Sequence, residues 1–146
     1  MKSKKIDENK VLSKIDQINS YLEEIEVIKP IDIEEYKNSI EKKRAIERLL
    51  QISVEAVIDI CYIIVSGLKL GVPSDEDVLF EKLAEKKIIS NKLTNTLKEM
   101  KGLRNILVHK YAHVKDERVY ENLDNLEDFN VFKEEILRFI NKVNVH

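Results

Sequence analysis

The chain holds only 3 glycines, 2 prolines and 1 cysteine, and no tryptophan, in 146 residues. So little turn chemistry leaves no room for a multi-stranded sheet, whose connections draw on glycine, proline and asparagine. A lone Cys61 excludes an intramolecular disulfide and predicts a reducing, cytoplasmic setting. The N-terminal stretch Met1-Lys2-Ser3-Lys4-Lys5 leads into a charged helix rather than an apolar signal region. A long uninterrupted hydrophobic run is missing as well. The most apolar segment, Leu49 to Val65, is broken by Gln51, Ser53, Glu55 and Asp59, so it reads as a buried helix and no membrane is expected as a partner.

What is present is lysine, glutamate, isoleucine and leucine in helical patterns. Val11, Leu12, Ile15, Ile18, Leu22 and Ile25 recur at spacings of three and four, which predicts a first helix from about Ile6 to Ile28, ended by Pro30. A second segment opens at Asp32, a suitable N-cap, and is expected to run through Tyr36 and Ile40 into one apolar helix reaching about Leu68. Ser74 and Asp77 have the spacing of a capping box ahead of a short third helix with Val78, Leu79, Leu83 and Ala84. Ser90 caps a fourth, which carries Leu93, Leu97 and Met100 to Gly102 and continues beyond it either directly or after a brief kink. A last helix fits Leu126 to Val143, with Phe129, Phe132, Ile136, Leu137, Phe139 and Ile140 on its apolar side. The expected fold is all-α, an antiparallel bundle of about five helices, forming one domain over residues 1–146.

Charge is distributed unevenly. The formal net charge is only -2, yet Lys86 to Arg118 contains nine basic residues against three acidic ones, leaving the remainder strongly acidic. A local basic field of this kind attracts polyanions, although a run of lysines also serves as a plain solvated helix face. On the long central helix, Glu47, Gln51, Glu55 and Asp59 follow one another four residues apart. They mark either the wet edge of an amphipathic helix or one wall of a cleft. Asp59 stands among Ile58, Ile60, Cys61, Ile63 and Ile64, so its carboxylate calls for a cation, with Arg48 and Arg104 as candidates and a supporting role at a site in prospect.

The basic region surrounds Gly102-Leu103-Arg104-Asn105-Ile106-Leu107-Val108-His109-Lys110-Tyr111, where a guanidinium, an imidazole and a phenol crowd together. Arginine presents a fork of donors to a phosphate, and histidine moves protons near neutral pH. RNA can be cut without a metal by its own 2′-OH if a protein supplies a base, an acid and a group that stabilises charge on the phosphate. Arg104 suits the last task, His109 suits proton transfer, and Asn105 can add a hydrogen bond. Five residues of helix turn through about 500°, which sets Arg104 and His109 roughly 140° apart. A two-fold axis that brings two copies of the segment into one cleft resolves that mismatch, so a homodimer is expected. The bland alternative is an Arg104 ion pair with another helix and a His109 that caps a helix end. His109 and His113 also have the spacing of two metal ligands, but without an obvious third ligand other than Asp116 no metal and no cofactor is expected.

The run Arg104-Asn105-Ile106-Leu107-Val108-His109-Lys110-Tyr111 resembles the signature of the HEPN superfamily, specifically its HepT-like ribonuclease toxins. Arg44 to Gln51 with Glu55 to Ile60 looks like that family's long central helix, and Phe80-Glu81-Lys82-Leu83, Met100 to Leu103 and Val119-Tyr120 fall in the family's order. The resemblance implies a helical homodimer acting as a metal-independent endoribonuclease toxin on RNA, with Arg104, Asn105 and His109 as its catalytic residues. It also implies a cognate nucleotidyltransferase antitoxin of the MntA kind, which neutralises the toxin by transferring AMP from ATP to Tyr111. A rival reading keeps the same cleft for binding alone, as a helical partner or nucleotide-binding subunit of such a transferase.

Overall fold

Short polar side chains decide where the helices begin. A computed structural model describes residues 6–109 and 116–143. Asp7 accepts a hydrogen bond from Lys10 N and opens α1 (Glu8–Ile28), and Asp32 does the same for Glu35 N at the start of α2 (Ile33–Asn38). Ser39 opens α3 (Ile40–Gly67), Asp75 opens α4 (Glu76–Glu85), and Ser90 accepts from Leu93 N ahead of α5 (Asn91–His109). A short α6 (Asp116–Glu121) and a 3-10 turn (Asn122–Asn125) lead to α7 (Glu127–Val143). Each cap satisfies an amide that the first helical turn leaves without a partner. The expectation of an all-helical bundle is met, with seven α-helices and no strand among the described residues.

Two boundaries differ from the sequence reading, each for a local reason, and a third that it left open is decided. The segment from Asp32 to Leu68 is two helices rather than one, because Ser39 takes an extended conformation (φ -114°, ψ 100°) and its hydroxyl accepts from Lys42 N. The cap of α4 is Asp75, not Ser74, since the Asp75 carboxylate reaches Val78 N at 2.9 Å. Helix α5 passes through Gly102 without a kink, so the Arg104 to His109 segment lies on one continuous helix. The α6 turn was not anticipated. At the end of α4, Lys87 takes a left-handed conformation (φ 61°), and Lys87 N and Ile88 N donate back to Ala84 O and Leu83 O, a Schellman ending with lysine where glycine is usual.

Helix α3 is the spine. It has the length and apolar composition of a membrane span, but α1, α4 and α5 cover it, which makes it the core helix of the bundle. The larger apolar cluster joins Val11, Ile15 and Ile18 of α1 to Ile60 and Ile64 of α3, Leu79, Phe80 and Leu83 of α4, Leu93 and Leu97 of α5, and Phe132 and Ile136 of α7. Leu12, placed on the apolar stripe by spacing, is instead exposed. Cys61 is fully buried there, and burial pushes its thiol pKa well up, leaving an inert thiol. The smaller cluster holds the far end of α5: Leu103 and Leu107 pack with Ile25, Tyr36, Ile46, Leu50 and Val119. That packing fixes the rotation of the segment carrying Arg104, Asn105 and His109.

Candidate active site

Leu103 and Leu107, four residues apart, form the buried seam of the last two turns of α5. At about 100° per residue, Arg104 then projects from one flank of that seam, while Val108, Asn105 and His109 follow around the outward side. Exposure follows this wheel for Arg104, which is partly buried, and for Val108 and His109, which are exposed, whereas Asn105, the most outward by angle, is partly covered. A single protomer therefore spreads the candidate groups over an outward arc of roughly 140° rather than gathering them. His109 is the last residue of α5.

Arg104 turns toward α4. Its Nη2 donates to Glu76 Oε1 at 2.5 Å, with both side chains largely buried (17% and 24% exposed). This is one rung of a ladder, because Lys101 pairs with Asp77 at 2.8 Å and Lys98 with Glu81 at 2.8 Å. Partners descend α5 as they climb α4, as antiparallel packing requires. The ion pair foreseen as the bland alternative is thus present. It does not exhaust the guanidinium, whose five N–H donors exceed what one carboxylate oxygen takes. Arg104 Nε is buried without a hydrogen-bond partner among the described residues.

Asp59 finds a different partner from those expected. Its carboxylate is half exposed and accepts from Lys14 Nζ of α1 at 3.0 Å, so neither Arg48 nor Arg104 is its cation. The reason is the direction of α3: Asp59 falls on the side that meets α1, away from Arg104 on α5. The carboxylate beside Arg104 is Glu76, which spacing could not reveal because it lies 28 residues away on another helix. The remaining stripe divides. Gln51 donates to Glu55 at 3.0 Å, whereas Glu47 is buried and accepts from Arg44 at 3.2 Å.

A second polar group that sequence reasoning passed over lies beside the smaller core. Tyr36 is fully buried against Tyr120, and its hydroxyl has no hydrogen-bond partner among the described residues. Burial, then the charges of Glu47 and Asp116, push its phenol pKa well above the ordinary value, so the hydroxyl stays protonated. Asp116 pairs with Lys43 at 3.1 Å, which ties α6 to α3 on the far side of the site segment. Tyr111 and His113 lie outside the described residues. Among the described residues no group of three or more His, Cys, Asp or Glu side chains is placed to hold a metal ion.

Residues 18–136 match the model of the ribonuclease HepT-like family. The chain is 32% identical over 108 residues to the tRNA nuclease HepT of Aphanizomenon flos-aquae (strain 2012/KM1/D3), an alignment covering 74% of each chain. It is 40% identical over 84 residues to the mRNA nuclease HepT of Shewanella oneidensis, covering 57% of this chain and 63% of that one. Its fold superposes with a TM-score of 0.82 and 31% identity on a tri-AMPylated Shewanella oneidensis HEPN toxin in complex with an MNT antitoxin, over 88% of this chain and 97% of the other. A match that runs across both apolar clusters and through the Arg104 to His109 segment admits one conclusion: the chain belongs to the HepT-like ribonuclease family, and its activity is that of an endoribonuclease.

Proposed function

We propose that this protein is the ribonuclease toxin of a toxin-antitoxin pair, cutting RNA without a metal in a cleft formed by two copies of α5. The observation that carries the reading is the outward arc on α5, where Arg104, Asn105 and His109 surround the exposed Val108. A two-fold axis close to that arc gives one phosphodiester two arginines and two histidines. In the reaction, the 2′-oxygen attacks phosphorus while one imidazole takes the 2′ proton. The 5′-oxygen leaves as the other imidazole, already protonated, gives up its proton. The products are a 2′,3′-cyclic phosphate and a 5′-hydroxyl. Arg104 stabilises the charge that gathers on the non-bridging oxygens, and Asn105 donates a further hydrogen bond or orients the imidazole. Glu76 holds the guanidinium in place, and Asp59, paired with Lys14, has no part in this chemistry.

The purified protein is expected to elute as a dimer in size-exclusion with light scattering at micromolar concentration, and to cleave RNA in EDTA. A monomer that retains full activity, or cleavage abolished by chelation and restored by a divalent ion, overturns the reading.

The cytoplasmic partner is a nucleotidyltransferase antitoxin of the MntA kind, a reading supported by the AMPylated HEPN toxin that this chain resembles. The Tyr111 oxygen attacks the α-phosphate of ATP and pyrophosphate departs. The tyrosyl phosphodiester adds a bulky anion two residues after His109, competing with RNA for the same cations. Intact mass after co-expression with the transferase is expected to rise in steps of AMP in the wild type and to lack the first step in Tyr111→Phe. An unmodified wild type beside an active transferase removes this regulation.

A further inference from the structure

The basic stretch of sequence divides into two places in the fold, and the site accounts for only one. The other is a groove of about 520 Å³ where the α4–α5 turn meets α7. Lys86 and Lys87 line it from the turn, and Arg138 and Lys142 from α7. Eight cations elsewhere on the surface sit in ion pairs among the described residues, including Lys98, Lys101 and Arg104 on α5 itself. Among the same residues, none of the four groove cations does. The single carboxylate in the lining, Glu135, is committed to the helix start: it accepts from Ser90 N at 2.7 Å and Ser90 Oγ at 3.0 Å. The groove is therefore a concentrated positive surface, four cations against one carboxylate, on a chain that is net acidic.

We propose that this groove is a second RNA-binding surface, gripping the phosphodiester backbone of the substrate at a distance from the bond that is cut. The proposal rests on the ribonuclease reading above. From Ser90 at the groove to Arg104 is about 20 Å along α5 by its helical rise. That distance exceeds the screening length of about 8 Å at physiological salt, so the groove does not act on the cleft through its field. It acts by touching the same polymer. A long RNA held at the catalytic end of α5 lies within reach of the groove, and a short one does not. Phosphates are the chemistry that four clustered cations on long side chains recognise without regard to base sequence.

The test compares two substrates of the full-length protein, an RNA transcript of several tens of nucleotides and a trinucleotide. The variant replaces Lys86→Gln, Lys87→Asn, Arg138→Gln and Lys142→Gln together, asparagine being chosen because it tolerates the left-handed backbone at that position. KM for the transcript is expected to rise about tenfold or more, with a salt dependence shallower by about 0.7 in log-log slope for each phosphate that the variant no longer neutralises. Trinucleotide kinetics are expected to stay unchanged. An unaltered KM for the transcript overturns the groove, and so does an equal loss on both substrates. Unaltered RNA kinetics together with lost co-purification of the transferase assigns the surface to a protein instead. If the wild type cleaves neither substrate, the ribonuclease reading fails, and fluorescence anisotropy with the transcript still decides the groove: equal affinity of wild type and variant removes it.

Discussion

His109→Ala is expected to lower kcat for RNA cleavage by about 10² to 10⁴, the range that a positioned proton-transfer group supplies. Its thermal melt should fall by far less than that of a core variant, because His109 is exposed at the end of α5 and belongs to neither apolar cluster. Arg104→Ala is expected to cost about 10² to 10³ in the same assay through loss of charge stabilisation on the phosphate. It also leaves Glu76 facing a half-buried site without its cation, so part of any effect is structural. Arg104→Ala with Glu76→Gln separates the two: the double variant recovers stability and not activity. Arg104→Lys keeps the charge and loses the fork, and is expected to restore little. The assay is multiple-turnover cleavage of a labelled RNA in EDTA. Wild-type rates in His109→Ala and in the double variant would show that neither side chain carries the reaction.

The largest effect on stability is expected at Phe80. This ring is fully buried in α4 and joins the cluster shared by α1, α3, α5 and α7. Phe80→Ala removes about 3–5 kcal/mol, the transfer energy of the ring together with the cost of the cavity left behind. Against a total stability of about 5–15 kcal/mol, that is enough to unfold a large fraction of a marginal chain. Phe80→Leu keeps much of the volume and should lose far less. Phe80 lies four residues beyond Glu76, so the same cavity loosens the α4 rung that holds Arg104. Activity in Phe80→Ala should therefore fall even in the fraction that remains folded. Chemical denaturation at fixed protein concentration measures the first effect, since the apparent stability of the proposed dimer depends on concentration. A change of less than about 1 kcal/mol would mean that α4 repacks freely, and that Phe80 does not position the site.

How much was legible in advance varies by element. The stripe from Val11 to Ile25 marked α1 because a helical period is a local signal, although the Asp7 cap at its start went unread. Ser90 marked α5 for the same reason. The break at Ser39 escaped notice because helical spacing continues on both sides, and only an extended backbone reveals that the serine is a cap. Helix α6 is too short, at six residues, for a period to register. At the site, the motif residues could be named from their order in the chain, and their angular separation followed from helix geometry alone. The partner of Arg104 could not. Asp59 was favoured because it stood among apolar neighbours in sequence, yet Lys14 meets it across the α1–α3 packing.

The sequence by itself determined the helical class, the apolar faces, the caps at Asp32 and Ser90 and the identity of the candidate site residues, because each depends on residues within a turn or two of one another. Tertiary structure alone decided which carboxylate pairs with Arg104, that α5 runs unbroken to His109 with Val108 and His109 exposed, and that cations from α7 join those of the α4–α5 turn. Those facts depend on how helices distant in the chain rotate and cross, which is fixed by packing across the core rather than by any local period.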